Sequence, residues 1–155
     1  MTGAVMPYAV TLRAVYPRDP DTVFAEALHF GEMKQAMAKI AIYEGLPDGE
    51  VAAGERFTVD VLMWGFLRTK NHVMYVESLD RAARVLQSRE HNPSVARWDH
   101  TLSLDPHPQG ALWTDHIVLE AGWQTPFVAR FCRYVYSHRH RTRGALSLTR
   151  EIIRQ

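Results

Sequence analysis

The sequence predicts an α+β fold. A curved antiparallel sheet of about six or seven strands wraps around one long C-terminal helix, with two short helices after the first strand. Three observations predict it. Residues 55–119 carry one β-branched and aromatic segment after another, separated by turn chemistry. Residues 125–143 switch to helical period. Two short helical stripes sit between the first strand and that run. Strands bunched together with helices set aside are an α+β pattern.

Taken in order, Tyr8, Val10, Leu12, Ala14 and Tyr16 alternate with Ala9, Thr11, Arg13 and Val15, which makes residues 7–16 a strand. Asp19 reads as an N-cap, Pro20 as the first helical residue and Asp21 as a favourable charge beside the positive helix end. Val23, Phe24, Ala27 and Leu28 form the stripe of that helix, and Gly31 interrupts it. A second short helix carries Met33, Met37 and Ile40. Leu46-Pro47-Asp48-Gly49 and Gly54 are turn chemistry. Glu55–Arg68 reads as one long strand, His72–Leu79 as another, Asp80-Arg81-Ala82 as a turn and Arg84–Arg89 as a weaker strand. His91-Asn92-Pro93 is a hairpin connection. Trp98–Leu104 and Ala111–Leu119 complete the sheet around a polar loop, Asp105–Gly110. In the last helix Thr125 can cap and Pro126 suits the first turn. Phe127, Val128, Phe131, Cys132, Tyr134, Val135 and His138 make a broad apolar stripe, and Gly144 kinks or ends the helix.

With 155 residues, 46% hydrophobic and 23% charged, the chain is long enough for one domain with a real core. No apolar run approaches the roughly 18 residues that span a bilayer. Met1–Met6 lacks the basic and apolar regions of a secretory signal. The lone Cys132 excludes an internal disulfide and suits a reducing compartment, so the expected location is the cytoplasm. A net charge of +1 argues for neither nucleic acid nor stable membrane insertion.

The two tryptophan strands carry the most informative pattern. If Leu104 pairs with Ala111, His100 falls opposite Asp115, and Trp98 and Trp113 share their face. That face also holds Leu102, Leu104, Ile117 and Leu119, so it looks inward. His100 and Asp115 are then the candidate catalytic pair, a polar anchor for a ligand, or a cross-strand pair that fixes register. Trp64, Trp98, Trp113, Phe127, Phe131 and Tyr134 line a pocket or pack as ordinary core, and Trp123 serves as a lid or staple. A curved sheet covered by one helix cannot easily fill its concave side, which favours a cavity between the two. No metal site is expected. His138 and His140, two apart on a helix, point about 200° apart, and no His-Glu-x-x-His or paired-cysteine motif occurs. No cofactor is expected either. The basic run Arg139–Arg143 reads either as a binding site for phosphate, a membrane surface or RNA, or as a solvated helix face near a helix C-terminus; aromatic platforms interleaved with basic residues are absent there, so nucleic acid is not expected.

Several segments resemble the SRPBCC superfamily, with its START-like or helix-grip fold, over about residues 7–150. Trp98-Asp99-His100 resembles the Trp-x-His of a late strand in a bacterial branch. Gly110 with Thr114-Asp115 resembles that branch's glycine followed by an aspartate. Tyr136-Ser137-His138-Arg139-His140-Arg141 resembles its aromatic-x-x-Arg-His helix ending, and Tyr16–Phe24 resembles its strand-to-helix start. Where the branch often has a second histidine, this chain has Leu102. The resemblance implies a single START-like domain over residues 1–155 with a hydrophobic-ligand cavity. It implies no one reaction, because relatives include lipid carriers, quinone-binding proteins, polyketide cyclases and heat-shock ATPase activators.

The leading expectation is a binding protein, more than a catalyst, for a lipid, an isoprenoid or quinone, or a polyketide-like aromatic. The alternatives are a cyclase- or dehydratase-like enzyme using His100 with Asp115, and a protein-interaction module. The chain is expected to be a monomer or homodimer.

Overall fold

The computed structural model describes residues 6–155, so most of the segment read for a secretory signal lies outside the described residues. The elements are β1 (Tyr8–Tyr16), α1 (Pro20–Ala27), α2 (Phe30–Met37), β2 (Ala41–Glu44), β3 (Arg56–Met63), β4 (Leu67–Asp80), β5 (Val85–Asn92), β6 (Val95–His107), β7 (Gly110–Glu120), α3 (Thr125–Thr142) and β8 (Ser147–Arg154). The strands form one antiparallel sheet in the order β2-β3-β4-β5-β6-β7-β1-β8.

The start of the chain folds by local rules. Asp19 caps α1 by accepting from the Thr22 backbone N–H (3.0 Å), and Pro20 opens the helix. The break between α1 and α2 falls at Leu28 and His29, and Gly31 sits inside α2 instead of interrupting the stripe. Met37 and Ile40 are buried against α3.

Four further expectations need correction. The segment 55–68 is two strands, because Trp64 and Gly65 both take positive φ (51° and 77°) and fold β3 back onto β4. Its uninterrupted apolar character hid a turn with only one glycine. Thr125 is the first helical residue and does not cap. Its hydroxyl accepts from Ala121 N–H (2.9 Å) and donates to Gly122 C=O (2.6 Å), fastening the loop that enters α3. Gly144 (φ 82°) ends α3, and the chain then forms β8 along β1, raising the strand count to eight.

The fourth concerns the β6–β7 hairpin. Its strands continue through Asp105-Pro106-His107 to a tight turn at Pro108-Gln109, with His107 paired to Gly110. Leu104 therefore faces Trp113 instead of Ala111, and His100 faces Ile117. The slip is two residues, an even number, so every side chain keeps its face. Gly110 is required at the corner. Its φ is 141°, and a Cβ there would sit 2.3 Å from the Tyr16 carbonyl oxygen and 2.7 Å from the Arg18 nitrogen.

The layering positions the site. The inner face of α3 packs on β1 and β7, where Ala129, Cys132, Val135 and Tyr136 meet Val10, Leu12, Ile117 and Leu119. The register shifts between Val59 and Val61, Val76 and Ser78, and Glu90 and Asn92 all fall on β3–β5. Bulges bend and twist the strands that carry them. One half of the sheet is thus filled by the helix, and the bent half leaves space beside it.

Candidate functional site

That space is a cavity of about 590 Å³. β3 and β4 contribute Val61, Met63, Leu67 and Met74, β6 contributes Val95 and Trp98, and α3 contributes Phe127, Val128, Phe131 and Val135. Trp123 and Phe127 line it while remaining 76% and 60% exposed, which places its mouth at the start of α3. A second cavity of about 90 Å³ lies towards α2, lined by His29, Phe30, His100, Trp113 and Asp115 among others. Met74, Glu90, Tyr136 and Arg139 line both.

The sequence candidates therefore divide. Trp98, Phe127 and Phe131 line the large cavity, and His100, Trp113 and Asp115 line the small one. Trp64 and Tyr134 are among the lining residues of neither. Their rings lie 6.0 Å apart near the turn after β3, and both are more than 40% exposed. On α3, Tyr134 follows Phe127 by seven residues and shares its outward side, which the broad stripe drawn from sequence did not resolve.

Asp115 is the hub of the small cavity. It is 1% exposed and accepts three N–H donors: His100 Nε2 (2.7 Å) and Trp113 Nε1 (3.0 Å) at Oδ1, and His140 Nε2 (2.6 Å) at Oδ2. His100 reaches it diagonally, from opposite Ile117 to the carboxylate two residues back. Burial pushes the Asp115 carboxyl up, but the hydrogen bonds donated by His100 and His140 outweigh it and hold the group far below the ordinary carboxylate range. An acceptor-only carboxylate makes Nε2 the protonated nitrogen of each imidazole. Their Nδ1 atoms are left to accept, from Tyr16 O–H at His140 (2.6 Å) and from Tyr136 O–H at His100 (3.3 Å). Burial raises both tyrosine hydroxyls, which keeps them as donors. The result is a chain, Tyr16–His140–Asp115–His100–Tyr136, that runs from the core to the wall shared by the two cavities.

His140 was not foreseen. The basic run placed it at a solvated helix end, yet it is fully buried and His138 is the half-exposed one. The signal existed in spacing: Ala129, Cys132, Tyr136 and His140 follow at intervals of three and four, so the buried stripe continues into the basic run. Arg139 and Arg143 also turn inward. The Arg139 guanidinium lies 4.7 Å over the Tyr136 ring and donates to Tyr43 Oη (3.1 Å). The Arg143 guanidinium lies 4.6 Å over Trp113 and donates to Glu32 (2.6 Å).

A second buried pair was equally invisible. Glu90 accepts from His72 Nε2 (2.9 Å) and Ser88 Oγ (3.0 Å). Asn92 Oδ1 accepts two backbone N–H groups, so its amide nitrogen donates to His72 Nδ1 (3.1 Å), and His72 turns its Nε2–H to Glu90. Burial raises the Glu90 carboxyl, and these partners bring it below its usual range. His72 is committed to Glu90 and does not join Asp115. Among the described residues no group of three His, Cys, Asp or Glu is placed to hold a metal ion. Cys132 is fully buried, and burial pushes its thiol well up, as suits a small core residue.

Two donors of cavity-lining residues are unpartnered: among the described residues, Trp98 Nε1 and Arg139 Nε are buried and make no hydrogen bond. Both residues line the cavity.

The architecture matches known structures. A protein from Thermus thermophilus, TTHA0849, superposes with a TM-score of 0.67 at 13% identity, covering 86% of this chain and 95% of its own. CV1439 from Chromobacterium violaceum gives 0.64 at 13% identity, with coverage of 86% and 92%. Ara h 8.0201 gives 0.63 at 10% identity, with coverage of 86% and 95%. This is the helix-grip fold. It is the fold expected from the resemblance seen in the sequence. No family model matches the chain, and no curated protein matches it. No helix among the described residues is long and apolar enough to cross a membrane.

Proposed function

We propose that this protein binds a small, mostly apolar ligand in the cavity between the β3–β6 half of the sheet and α3. The observation that carries this reading is the cavity of about 590 Å³ with its mostly apolar wall, behind which two donors of lining residues, Trp98 Nε1 and Arg139 Nε, lie unpartnered among the described residues. A buried donor left unmade costs about 1–3 kcal/mol, so an acceptor oxygen supplied by a ligand recovers that cost. Lipids, quinones and polyketide-like aromatics all bring an oxygen acceptor on an apolar body. A volume of about 590 Å³ is in the ordinary range for small-molecule sites.

Native mass spectrometry of the purified protein, with displacement of an environment-sensitive fluorescent fatty acid, tests the reading. Trp98→Phe keeps the ring surface and removes the N–H, and Arg139→Met keeps the stem and removes the guanidinium. Each is expected to weaken binding about 5- to 30-fold. A protein that retains no ligand and never takes up the probe overturns the proposal.

The buried chain favours a second reading, in which Tyr136 on the shared wall takes a proton from the carbon beside a ligand carbonyl while its own hydroxyl proton passes to His100 Nδ1; Asp115 holds the resulting imidazolium, and the proton returns to the departing β-hydroxyl as water. Here His140 takes the place of the second histidine missing at Leu102. Incubation with β-hydroxy and poly-β-keto compounds, followed by mass analysis for loss of water, tests it. Turnover that survives His100→Gln rules it out.

A further inference from the structure

We infer that the mouth of the large cavity is a docking surface for an anionic phospholipid bilayer. Among the described residues ten large hydrophobic side chains are exposed; Leu67, Trp123 and Phe127 line the cavity, and Trp64, Phe66 and Tyr134 stand outside it, Trp64 beside the cavity-lining Phe131 (6.3 Å). Phe66 is 78% exposed and Trp123 76%. The exposed rings form two groups, one at the β3–β4 turn against α3 and one at the entry to α3. The Trp64 ring lies 6.3 Å from Phe66 in its own turn and 6.0 Å from Tyr134 on α3, and Trp123 meets Phe127 edge-on at 6.5 Å. Aromatic side chains clustered on one surface, Trp and Tyr above all, suit a boundary with one apolar and one wet side.

Charge selects the partner. No Asp or Glu occurs between Glu120 and Glu151, a stretch that holds six arginines. Arg139 and Arg143 turn inward, as described above. Arg130 and Arg141 are exposed, Arg133 is half-buried, and none of the three forms an ion pair among the described residues. Phe127, Arg130, Tyr134 and Arg141 fall on one side of α3 by their spacing, with Arg133 on its flank. Exposed aromatics interleaved with uncompensated arginines on an acid-free helix match a surface that is apolar beneath and negative at the headgroups. A neutral protein patch explains the aromatics but not the missing carboxylates. The inference stands on the outer surface and does not depend on what fills the cavity.

The test is sedimentation of the full chain with vesicles of phosphatidylcholine alone and of phosphatidylcholine mixed with phosphatidylglycerol. A blue shift of tryptophan emission and quenching by brominated acyl chains report insertion of Trp64 and Trp123. The expected result is tight binding only to the anionic vesicles, falling steeply with added salt. A triple variant, Arg130→Gln with Arg133→Gln and Arg141→Gln, is expected to lose about 100-fold in affinity. Trp64→Asn with Phe66→Ser should abolish the blue shift, while thermal melts and fatty-acid displacement stay at wild-type values because neither residue lines the cavity. Equal binding to neutral vesicles, no binding at all, or binding indifferent to both variants overturns the proposal. So does a wild-type dimer that Phe66→Ser converts to monomer, which would assign the patch to a second copy of the chain.

Discussion

Asp115 concentrates the electrostatics of this fold in one buried carboxylate. Three N–H donors converge on two oxygens, so the charge is satisfied by geometry that spans β6, β7 and α3. Asp115→Asn replaces one acceptor oxygen with an NH2 group facing an imidazole N–H. The loss expected from urea unfolding at neutral pH is about 3–5 kcal/mol. The pH dependence has a definite sign. The folded carboxyl sits far below its unfolded value, so its contribution is complete above about pH 4 and is lost as pH falls towards the folded value. The asparagine variant is expected to lose that part of the acid limb, and unfolding midpoints measured across the acid range will show whether it does. The pairing of His100 with Asp115 was legible because strand alternation puts both on one face. His140 was not, because its local sequence is a run of histidine and arginine that looks solvated, and only the longer spacing places it on the buried side.

At the level of elements, the β6–β7 hairpin shows what local patterns can and cannot specify. Alternation assigned the faces of both strands, and those faces survive in the structure. The register did not survive, because Asp105-Pro106-His107 reads as loop chemistry yet continues the strand. Gly110 explains why this corner tolerates little change. Its conformation is costly for any L side chain, and a Cβ would meet the backbone where β1 runs into α1. Gly110→Ala is therefore expected to cost about 2–4 kcal/mol in denaturant unfolding, since backbone cannot move aside as a flexible side chain can. β2 escaped notice because four residues are too few to show a period; β8 was legible in the alternation of Leu146, Leu148 and Ile152 with Ser147, Thr149 and Glu151, but that pattern follows directly on the helix and was missed as a strand. The turn at Trp64-Gly65 lacks the polar residues that usually mark a turn.

For the molecule as a whole, the cavity is the space left between α3 and a sheet bent by three bulges. Its walls are set by several elements at once, so filling it should affect binding more than stability. Val61→Phe places a ring in the cavity from β3, where Val61 is only partly buried. The expected outcome is at least about a tenfold loss of fatty-acid displacement with a thermal midpoint unchanged or slightly raised, because added apolar contacts occupy empty volume instead of overpacking a filled core. Calorimetric melts with and without the fatty acid read both effects together. Wild type should melt higher with ligand by mass action, and the variant should not.

The sequence by itself determined the class of fold, the order of most elements, the inward face of the two tryptophan strands and the presence of a carboxylate and an imidazole on that face. These follow from periods of two and of 3.6 residues, which are local properties of the backbone. Tertiary structure alone decided that His140 completes the Asp115 cluster, that Glu90 and His72 form a second buried pair, and that Trp64 and Tyr134 stand outside the cavity. It also decided where the aromatic rim and the arginines meet. Each of those outcomes depends on residues far apart in the chain, brought together by the bulges in the sheet and the angle at which α3 crosses it, and no local period encodes either.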